Sequence, residues 1–505
     1  METLSSLQYG FSIALQPENL LFCLVGSFLG TLVGVLPGIG PVGAIAILLP
    51  VTFKISTTGA IIMLAGLYYG AMYGGSTTSV LVNIPGEAAS VITCMDGHQM
   101  ALQGRAGPAL GIAAFGSFIA GTLGIIGLMF FANPLSRFAL EFGPHEYFSL
   151  IILGLTFVTY LSHGSMLKAV MMACFGLMIS NIGLDPITST PRVTFGFLEL
   201  FEGLGIAPVA MGLFGVGEVL VNLERRVPRK IVQAKIRQMF PSRLDWIASK
   251  WALARGTVVG FLLGILPGGG PVLASFLSYG IEKRVSKRPQ KFGTGAIEGV
   301  AGPESANNAA ASSSFIPLLT LGIPPNPSLA ILFGAFLIHG ITPGPLLLSE
   351  NPDVFWGVLS SMYVGNIMLL ILNLPLIPMW VQVLKVPARY LHPLILMFCL
   401  IGAYSLNNNV FDVFVMIIFG IVGYLFRKFD YEGAPLVLAF VLGPILDLNL
   451  RQALLVSYGG FADFFTRPIS GVTLGLAMAL MISSLFPFII KKLQAYRADV
   501  KEEEF

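Results

Sequence analysis

The sequence predicts an all-α, polytopic membrane protein with about 10–12 transmembrane segments, arranged as two inverted repeats that each carry a broken-helix re-entrant hairpin. Of its 505 residues, 55% are hydrophobic and only 11% are charged, with a mean hydropathy of +0.81, whereas soluble globular proteins are about 25% charged. Several nearly uncharged runs have about 18 or more residues, which is long enough to cross about 30 Å of hydrocarbon. These runs are 110–132, 166–183, 354–374, 410–426 and 472–490.

The two repeats are predicted from a motif that occurs twice. Residues 30–41 read GTLVGVLPGIGP and residues 260–271 read GFLLGILPGGGP, and they align without a gap at a separation of 230 positions. Such a motif breaks a helix, because Pro lacks the N–H donor and Gly is a poor helix former. Broken helices at matching positions of two halves of a membrane protein indicate a binding site.

Further landmarks recur in the same order in both halves. A strip of small polar residues precedes Ile84-Pro85 in the first half, and another precedes Ile323-Pro324 in the second. Recurrence at a near-constant offset favours a duplicated unit over coincidence. The predicted division is a first transmembrane repeat at 1–222, a basic cytoplasmic linker at 223–250, a second transmembrane repeat at 251–490 and a cytoplasmic tail at 491–505.

Charge predicts the orientation of the hairpins. Lys and Arg cluster at 225–255, at 283–291 and in the C-terminal tail, and positively charged loops stay in the cytoplasm. Only 27 residues separate the first two clusters, whereas two full spans need about 40. The second motif is therefore predicted to form a hairpin that enters from the cytoplasm and turns at 267–271. The first hairpin has no flanking positive charge apart from Lys54 and is predicted to enter from the opposite face.

Other classes of protein are disfavoured by motifs that the sequence lacks. It has no P-loop, no Ser/His/Asp set at plausible spacing, and no Cys-x-x-Cys or metal-ligand spacing among its four cysteines, so we expect neither an enzyme nor a bound cofactor. The basic linker is interpreted as a determinant of membrane orientation, with nucleic-acid or lipid-headgroup binding as the alternative. No nucleic-acid partner is expected. The N-terminus lacks the positive region of a cleaved signal peptide, so the first apolar segment is expected to be retained.

The hairpin tips are the first candidate site. Backbone groups that no helix satisfies are tolerated at membrane depth only where they are buried in protein or line a wet cavity. The helices that resume after each break present free N–H groups and a partial positive charge, which suit an anion. Close helix packing by Gly and Pro is the alternative. The substrate-binding candidates at the tips are Gly38, Gly40, Pro41, Gly268, Gly269, Gly270 and Pro271.

Polar side chains in an otherwise apolar context form a second set of candidates. Hydroxyl and amide groups bind carboxylates, and their oxygens coordinate Na⁺ because hard cations prefer oxygen ligands. Hydrogen bonding between helices is the alternative. The substrate-binding candidates are Ser76, Thr77, Thr78, Ser313, Ser314 and Asn326, and the cation-binding candidates are Asn83, Glu304, Asn307, Asn308 and Ser312, with Na⁺ placed at Asn307 and Asn308.

Few acidic residues lie near these elements, and a carboxylate at membrane depth is costly and usually functional. Glu304 is predicted to balance a coupling cation or to orient the Asn pair that follows it, and capping of a helix after Pro303 is the alternative. Asp96 is interpreted as a turn-capping residue. His98 is interpreted as structural.

Four long stretches together resemble the TctA-type large membrane subunit of tripartite tricarboxylate transporters, from about residue 18 to 485. The stretches are GTLVGVLPGIGPVGAIAILLP, NIPGEAASVITCMDGHQMALQGRAGPALGIAAFGSFIAG, GILPGGGPVLASFLSYGIEKR and GPESANNAAASSSFIPLLTLGIP. The family's signature stretches fall on 37–41, 84–87, 267–271 and 304–308. What the resemblance implies is a multi-pass protein of the bacterial inner membrane that imports a tricarboxylate or dicarboxylate by Na⁺ or H⁺ symport, without ATP. It also implies two partners, a small membrane subunit (TctB type) and a periplasmic solute-binding protein (TctC type).

The sequence departs from the family pattern beside the predicted site. The second Ile-Pro continues as Pro325-Asn326-Pro327-Ser328, and serines stand at 313 and 314 where the family often has glycine, so citrate is not assumed as the substrate. An anion channel and a stand-alone carrier of another organic anion are the alternatives. By analogy with other inverted-hairpin carriers, we expect the hairpin-bearing elements to move against a scaffold that forms a homodimer.

Overall fold

The computed structural model describes residues 2–36, 40–161, 165–224, 239–266, 268 and 270–483. Within these ranges the chain is almost entirely helical, and its β structure is one antiparallel pair of two-residue strands, Gly183–Leu184 (β1) and Pro191–Arg192 (β2). Seven helical segments of this part are long and apolar enough to cross a membrane: Pro17–Val35, Ala106–Ala139, Ile206–Glu224, Pro352–Leu372, Arg389–Asn407, Val410–Lys428 and Gly433–Val456. The prediction of an all-α, polytopic membrane protein is confirmed.

The first half of the chain builds ten helices in the described residues. The sixth, with 34 residues, is the longest, and a π-helical stretch, Met211–Val216, joins the last two. They are α1 (Glu2–Ala14), α2 (Pro17–Val35), α3 (Gly40–Leu48), α4 (Thr57–Val82), α5 (Val91–Leu102), α6 (Ala106–Ala139), α7 (Pro144–Leu161), α8 (Met166–Ser180), α9 (Ile206–Ala210) and α10 (Gly217–Glu224).

The second half repeats a similar succession of long and broken helices. They are α11 (Arg243–Ile265), α12 (Gly270–Val285), α13 (Glu298–Ser313), α14 (Phe315–Leu321), α15 (Pro327–Ile338), α16 (Leu347–Glu350), α17 (Pro352–Leu372), α18 (Ile377–Val383), α19 (Ala388–Asn407), α20 (Val410–Lys428), α21 (Gly433–Val456) and α22 (Asp463–Thr466), followed by the apolar helix Pro468–Ser483. Most of the basic linker, 225–238, and the tail, 491–505, lie outside the described residues. The boundaries of the two repeats stay a prediction.

The core is formed around α4 and α13. Every residue from 59 to 82 and every residue from 299 to 313 is buried. At the periphery, apolar side chains face outward. For example, α20 exposes Phe414, Ile418 and Ile421 on one helical face. Spacings of four and three residues place side chains on the same face of a helix. An exposed apolar stripe of this kind suits contact with lipid.

The first hairpin helix, α2, packs on α4 through a ladder of glycines spaced four residues apart. A Cβ atom added at these glycines would lie 2.1, 2.4 and 2.3 Å from backbone carbonyl oxygens of α4, which is closer than any side-chain atom tolerates. Backbone therefore packs directly on backbone, as small residues allow in membrane helices. The facing pairs are Gly26 with Met63, Gly30 with Leu67 and Gly34 with Ala71.

The second hairpin helix, α11, repeats this ladder on α13. Here an added Cβ would lie 2.3, 2.1 and 2.4 Å from the facing carbonyl oxygens. The glycines of the two ladders are 230 positions apart and their partners are 239 positions apart at every rung, so the duplication extends to the register of the packing. The facing pairs are Gly256 with Gly302, Gly260 with Ala306 and Gly264 with Ala310.

The chain turns in the same way after α4 and after α14, the short helix that follows α13. Asn83 ends α4 with φ of 59°, and Gly322, 239 positions later, ends α14 with φ of 68°. This left-handed conformation is a common helix C-terminus for Gly and Asn. The Ile-Pro pair follows at once in both copies, and each copy then reaches an extended N-cap residue, Glu87 in the first and Asn326 in the second.

Two equivalent contacts join one repeat to the other. Asn326 Nδ2 donates to Tyr68 Oη at 3.0 Å, and Asn307 Nδ2 lies 3.5 Å from Glu87 Oε1. Position 307 corresponds to 68, and position 326 corresponds to 87, at the same separation of 239. The two contacts are reciprocal, because a position of the first half meets the counterpart of its partner position in the second half.

The second hairpin is held at its base by an ion pair. Arg255 on α11 donates from Nε and Nη2 to the two carboxylate oxygens of Glu282 on α12, at 2.8 and 2.6 Å. At the tip, Gly268 has φ of +79° and its N–H donates to Pro325 O at 2.8 Å. The two arms therefore run side by side and return to the same end, as expected for a hairpin.

The loop that precedes α13 is fixed by Asp96 on α5. The buried Asp96 accepts backbone N–H groups of Gly293, Gly295 and Ala296 on Oδ1, and Tyr279 Oη donates to Oδ2 at 2.9 Å. Asp96 caps a turn, as interpreted from the sequence, but the turn belongs to the other half of the chain.

A ring of two arginines and two aspartates ties the β1–β2 hairpin to α21. Arg192 and Arg451 each pair with both Asp185 and Asp447. The backbone N–H of Thr188, with further hydrogen bonds from Ile187 and the two arginines, holds the pKa of Asp185 well below its usual range. These contacts outweigh the opposing effect of burial, so the charged carboxylate is the stable form in the folded protein.

We predict that Gly260→Ala lowers the free energy of unfolding by about 1–3 kcal/mol, because the added methyl group overpacks a helix interface. The matched control is Gly280→Ala on α12, where an added Cβ meets nothing within 4 Å and the better helix propensity of Ala stabilises by up to about 1 kcal/mol. Thermal unfolding of the purified variants in detergent measures the difference. Equal midpoints for the two variants would contradict the ladder.

We predict that Asp185→Asn destabilises the protein at pH 7 and that the difference from wild type narrows in acid. Because the folded pKa of Asp185 lies below its ordinary value of 3.8, its contribution is fully present above about pH 4 and is lost as the pH falls through the folded pKa. Unfolding midpoints between pH 7 and pH 3 test this, with the exposed Glu141→Gln as control. A constant difference across that range would rule out the charged ring as the cause.

Candidate functional site

The two hairpin tips lie in different surroundings. At the first tip, Gly38 lies outside the described residues, while Gly40 (φ +65°) and Pro41 are half-buried at the start of α3. A Cβ at Gly40 would meet nothing within 4 Å, so the backbone there borders open space. This first turn of α3 therefore leaves room for a ligand to approach the backbone.

The second tip is more enclosed. Gly269 lies outside the described residues, whereas Gly270 and Pro271 are buried at the start of α12 and Gly268 is half-buried. A Cβ at Gly270 (φ +47°) would lie 3.7 Å from the Cβ of Asn326. The structure thus brings the second tip beside one polar candidate from the Ile-Pro segment.

The first polar strip contacts both repeats. Ser76 Oγ donates to Glu304 Oε2 at 2.7 Å, whereas Thr78 Oγ1 donates to the carbonyl of Val35, at the end of α2, at 2.6 Å. Thr77 is buried and lines a small cavity. Ser76 therefore reaches the acidic candidate, while Thr78 makes the helix-to-helix hydrogen bond that was the alternative interpretation.

The second strip is engaged mainly with backbone. Ser314 Oγ donates to Ala310 O at 2.7 Å and lies 3.1 Å from Gly264 O, and Ser313 Oγ lies 3.4 Å from Ala310 O. Asn326 caps α15, because its Oδ1 accepts the N–H of Leu329 at 3.1 Å while its Nδ2 donates to Tyr68. The side chain of Asn326 therefore joins the repeats.

The cation candidates are not all together. Glu304, Asn307, Asn308 and Ser312 are buried on α13, whereas Asn83 is exposed at the C-terminal end of α4. Positions 304, 307 and 308 are three and four residues apart, so their side chains share one face of the helix. The structure gathers the α13 candidates into one cluster and leaves Asn83 at an exposed helix end.

Glu304 is bound by hydroxyls of the first repeat. Ser76 donates to its Oε2 and Thr93, on α5, donates to its Oε1. It lies inside α13, which begins at Glu298, rather than at a helix start. Capping of a helix after Pro303 is therefore not what the side chain does.

Asn308 connects the acidic cluster to a small cavity with room for about one water molecule. Its Nδ2 donates to Ser117 Oγ on α6 at 2.7 Å and to Glu304 O at 3.0 Å. The cavity is lined by Tyr73, Ser76, Thr77, Leu110, Ala113, Ala114, Ser117 and Asn373. Two of the lining hydroxyls, those of Ser76 and Ser117, therefore touch the carboxylate and the amide of α13 directly.

Sequence reasoning missed several polar partners at this site. Tyr68, Thr93 and Ser117 complete the hydrogen bonds of the candidates, yet they stand singly among apolar residues in the sequence. Glu87 is one of the few acidic residues near the motifs, but its proximity to Asn307 depends on the packing of one half of the chain against the other. A lone hydroxyl in a helix carries no signal of its partner.

The buried carboxyl groups at this site have no basic partner among the described residues. In the part of the chain that the structure describes, neither Glu87 (7% exposed) nor Glu304 (1% exposed) pairs with a Lys, Arg or His. Among the same residues there is no group of three or more His, Cys, Asp or Glu that could hold a metal ion. The arrangement can bind a small cation through mixed carboxylate, amide and hydroxyl oxygens.

Comparison with known proteins agrees with this description. Residues 20–438 match the Tripartite tricarboxylate transporter TctA family. The chain is 51% identical over 492 residues to an "Uncharacterized 52.8 kDa protein in TAR-I ttuC' 3'region" of Agrobacterium vitis, covering 97% of this chain and 98% of that protein. It is 56% identical over 233 residues to an "Uncharacterized protein in TAR-II ttuC' 3'region" of the same organism, covering 46% and 96%.

No solved structure matches the chain. The family match covers most of the sequence, including both LPGxGP motifs and the whole α13 cluster. The resemblance inferred from the four stretches is confirmed. The chain belongs to the tripartite tricarboxylate transporter TctA family and is a multi-pass membrane component of a transporter.

Proposed function

We propose that this chain is the transport subunit of a secondary carrier that imports a tricarboxylate or dicarboxylate by symport with Na⁺ or H⁺. The observation that carries the proposal is the buried junction between the repeats, where two carboxylates without counter-charges and several neutral donors meet beside a hairpin tip. A buried unpaired charge is costly, and such residues within membrane segments are usually functional. A bound cation offsets that cost.

We assign the substrate to the part of the junction formed by Asn326 and the start of α12. The start of α12 offers backbone N–H groups and the positive end of a helix dipole, and the amide of Asn326 is adjacent. Lys and Arg are absent from 256–282, so donors of this kind would hold the anion. Neutral donors of this type bind an anion less tightly than a buried Arg would, which suits a substrate that must also be released.

Opposite entry of the two hairpins is supported by contacts along α17. A Cβ at Gly357, near the start of α17, would lie 3.1 Å from Thr58, at the base of the first hairpin. Further along, Asn366 Nδ2 donates to Phe118 O and Thr122 Oγ1 on α6. At the other contact, Arg105, which precedes the N-terminus of α6, forms an ion pair with Asp245.

Asp245 lies at the base of the second hairpin, and we infer that the two bases lie at opposite ends of the α6–α17 pair. The second base carries the basic clusters and belongs to the cytoplasmic face. The first hairpin would then enter from the periplasm. This arrangement makes the two repeats inverted, as in other secondary carriers built from two halves.

The carrier has a proposed membrane location and two proposed partners. The protein would reside in a bacterial inner membrane, act with a TctB-type small membrane subunit, and receive its substrate from a TctC-type periplasmic binding protein. Access to the junction would alternate as the hairpins move against a scaffold that dimerises. No ATP is consumed in this scheme, since the ion gradient supplies the driving force.

Uptake into proteoliposomes tests the proposed function. A thermal-shift screen of the binding protein against di- and tricarboxylates first selects the labelled substrate. We then predict uptake above the external concentration only when both membrane subunits, the binding protein and an inward Na⁺ or H⁺ gradient are present, and its collapse on adding the matching ionophore.

Other outcomes of this assay would refute the proposal. Equilibrating flux that needs neither gradient nor binding protein would indicate an anion channel. Uptake by this chain alone at the full rate would indicate a stand-alone carrier. Conversion of the substrate to a product in detergent would indicate an enzyme.

A further inference from the structure

We propose that Glu87, Glu304 and Asn307 form one Na⁺ site at the junction of the repeats, and that the two-fold-related junction at Asn326 and Tyr68 binds no cation. The inference rests on the proposed function, because it names the coupling ion and the residues that hold it. It is based on the two contacts between the repeats, Asn307 with Glu87 and Asn326 with Tyr68, and on the acidic side chains that only the first of them has.

The three residues belong to one place in the fold. Asn307 and Glu304 are three residues apart on α13 and share a face, and the amide of Asn307 faces Glu87 Oε1 at 3.5 Å. Consecutive residues of α4 touch the two acids: an added Cβ at Gly75 would lie 3.0 Å from Glu87 Cγ, and Ser76 donates to Glu304. Glu87 therefore lies beside the Asn307 amide, and Glu304 lies about one turn away on the same face of α13.

An unpartnered oxygen indicates what is missing from this place. Asn307 is 1% exposed, and its Oδ1 is buried without a hydrogen-bond partner among the described residues. A buried acceptor without a partner destabilises the folded protein. An amide oxygen cannot donate, so its natural partner is a donor or a cation.

The carboxylates have capacity left for a cation. Each carboxylate offers about four lone-pair sites, and Glu304 uses its oxygens for Ser76 and Thr93, while Glu87 accepts the N–H of Ala89 on Oε2. Carboxylate and amide oxygens are the ligands that a hard cation prefers. Na⁺ would thus satisfy Asn307 Oδ1 and offset the buried negative charge together, whereas a proton on one carboxylate adds no ligand for the other groups.

The equivalent junction lacks every acidic member of the site. Asn326 stands where the first repeat has Glu87, Tyr68 stands at the position of Asn307, and Ala65 at that of Glu304. Asn326 Oδ1 is already used to cap α15. The two equivalent junctions have therefore diverged: one is acidic and suits the cation, and the other is neutral, lies beside the α12 tip and suits the carboxylate. The pair of junctions supplies one Na⁺ site, not two.

Binding of ²²Na⁺ to the purified chain with its membrane partner, in detergent and without substrate, tests the proposal. We expect about one Na⁺ per chain and thermal stabilisation by NaCl that choline chloride and KCl at equal concentration do not give. Glu87→Gln should weaken the apparent Na⁺ affinity at least tenfold, because it removes a negative charge from the site. The control Glu298→Gln, at the first turn of α13, should leave the affinity within twofold of wild type.

A second variant covers the case in which Glu87→Gln does not fold. Asn307→Ala removes the unpartnered oxygen without adding a charge, and it should also weaken Na⁺ binding at least tenfold. Two Na⁺ per chain, no Na⁺-specific effect in the wild type, or either folded variant retaining wild-type affinity would overturn the inference. Gradient-driven uptake that depends on H⁺ alone would overturn it as well, while leaving the proposed carrier function intact.

Discussion

Direct contact between helix backbones is the constraint on which the rest of this structure depends. Glycines at every fourth position let α2 lie against α4 and α11 against α13, in the same register in both halves. Dense packing of this kind fixes how deep each hairpin reaches. The breaks in the hairpins, the Ile-Pro segments and the polar side chains between them are then held at defined positions around the two central helices.

The distribution of charge follows from this frame. Away from the centre, buried acids have partners: Glu282 pairs with Arg255, and Asp185 with Arg192 and Arg451. At the junction of the repeats, Glu87 and Glu304 are held by hydroxyl, amide and backbone donors instead. Paired charges stabilise one arrangement, whereas an unpaired buried charge is available to an exchangeable ion. This difference sets Glu87 and Glu304, which are proposed to act in coupling, apart from these ion-paired acids.

Much of the fold could be predicted from the sequence, because membrane crossing and helix breaking depend on local composition. The all-helical class, the doubled LPGxGP hairpins and the importance of α13 follow from hydropathy, Pro and Gly. The partners Tyr68, Thr93 and Ser117 could not be predicted, since they come from helices that approach only after folding. Likewise, Ser313, Ser314 and Thr78 look like ligands in the sequence, but their hydroxyls bond to backbone carbonyls, those of Ser313 and Ser314 one turn back along the chain and that of Thr78 on the neighbouring helix α2.

The central claim is that two copies of one hairpin frame meet from opposite faces of the membrane. Labelling of single cysteines in intact cells tests it most directly, in a background in which Cys94 and Cys174 are replaced by Ser. The account predicts that a membrane-impermeant maleimide labels Lys54→Cys from the periplasm and reaches Lys287→Cys only after the cells are permeabilised. Labelling of both positions from the same face would contradict it.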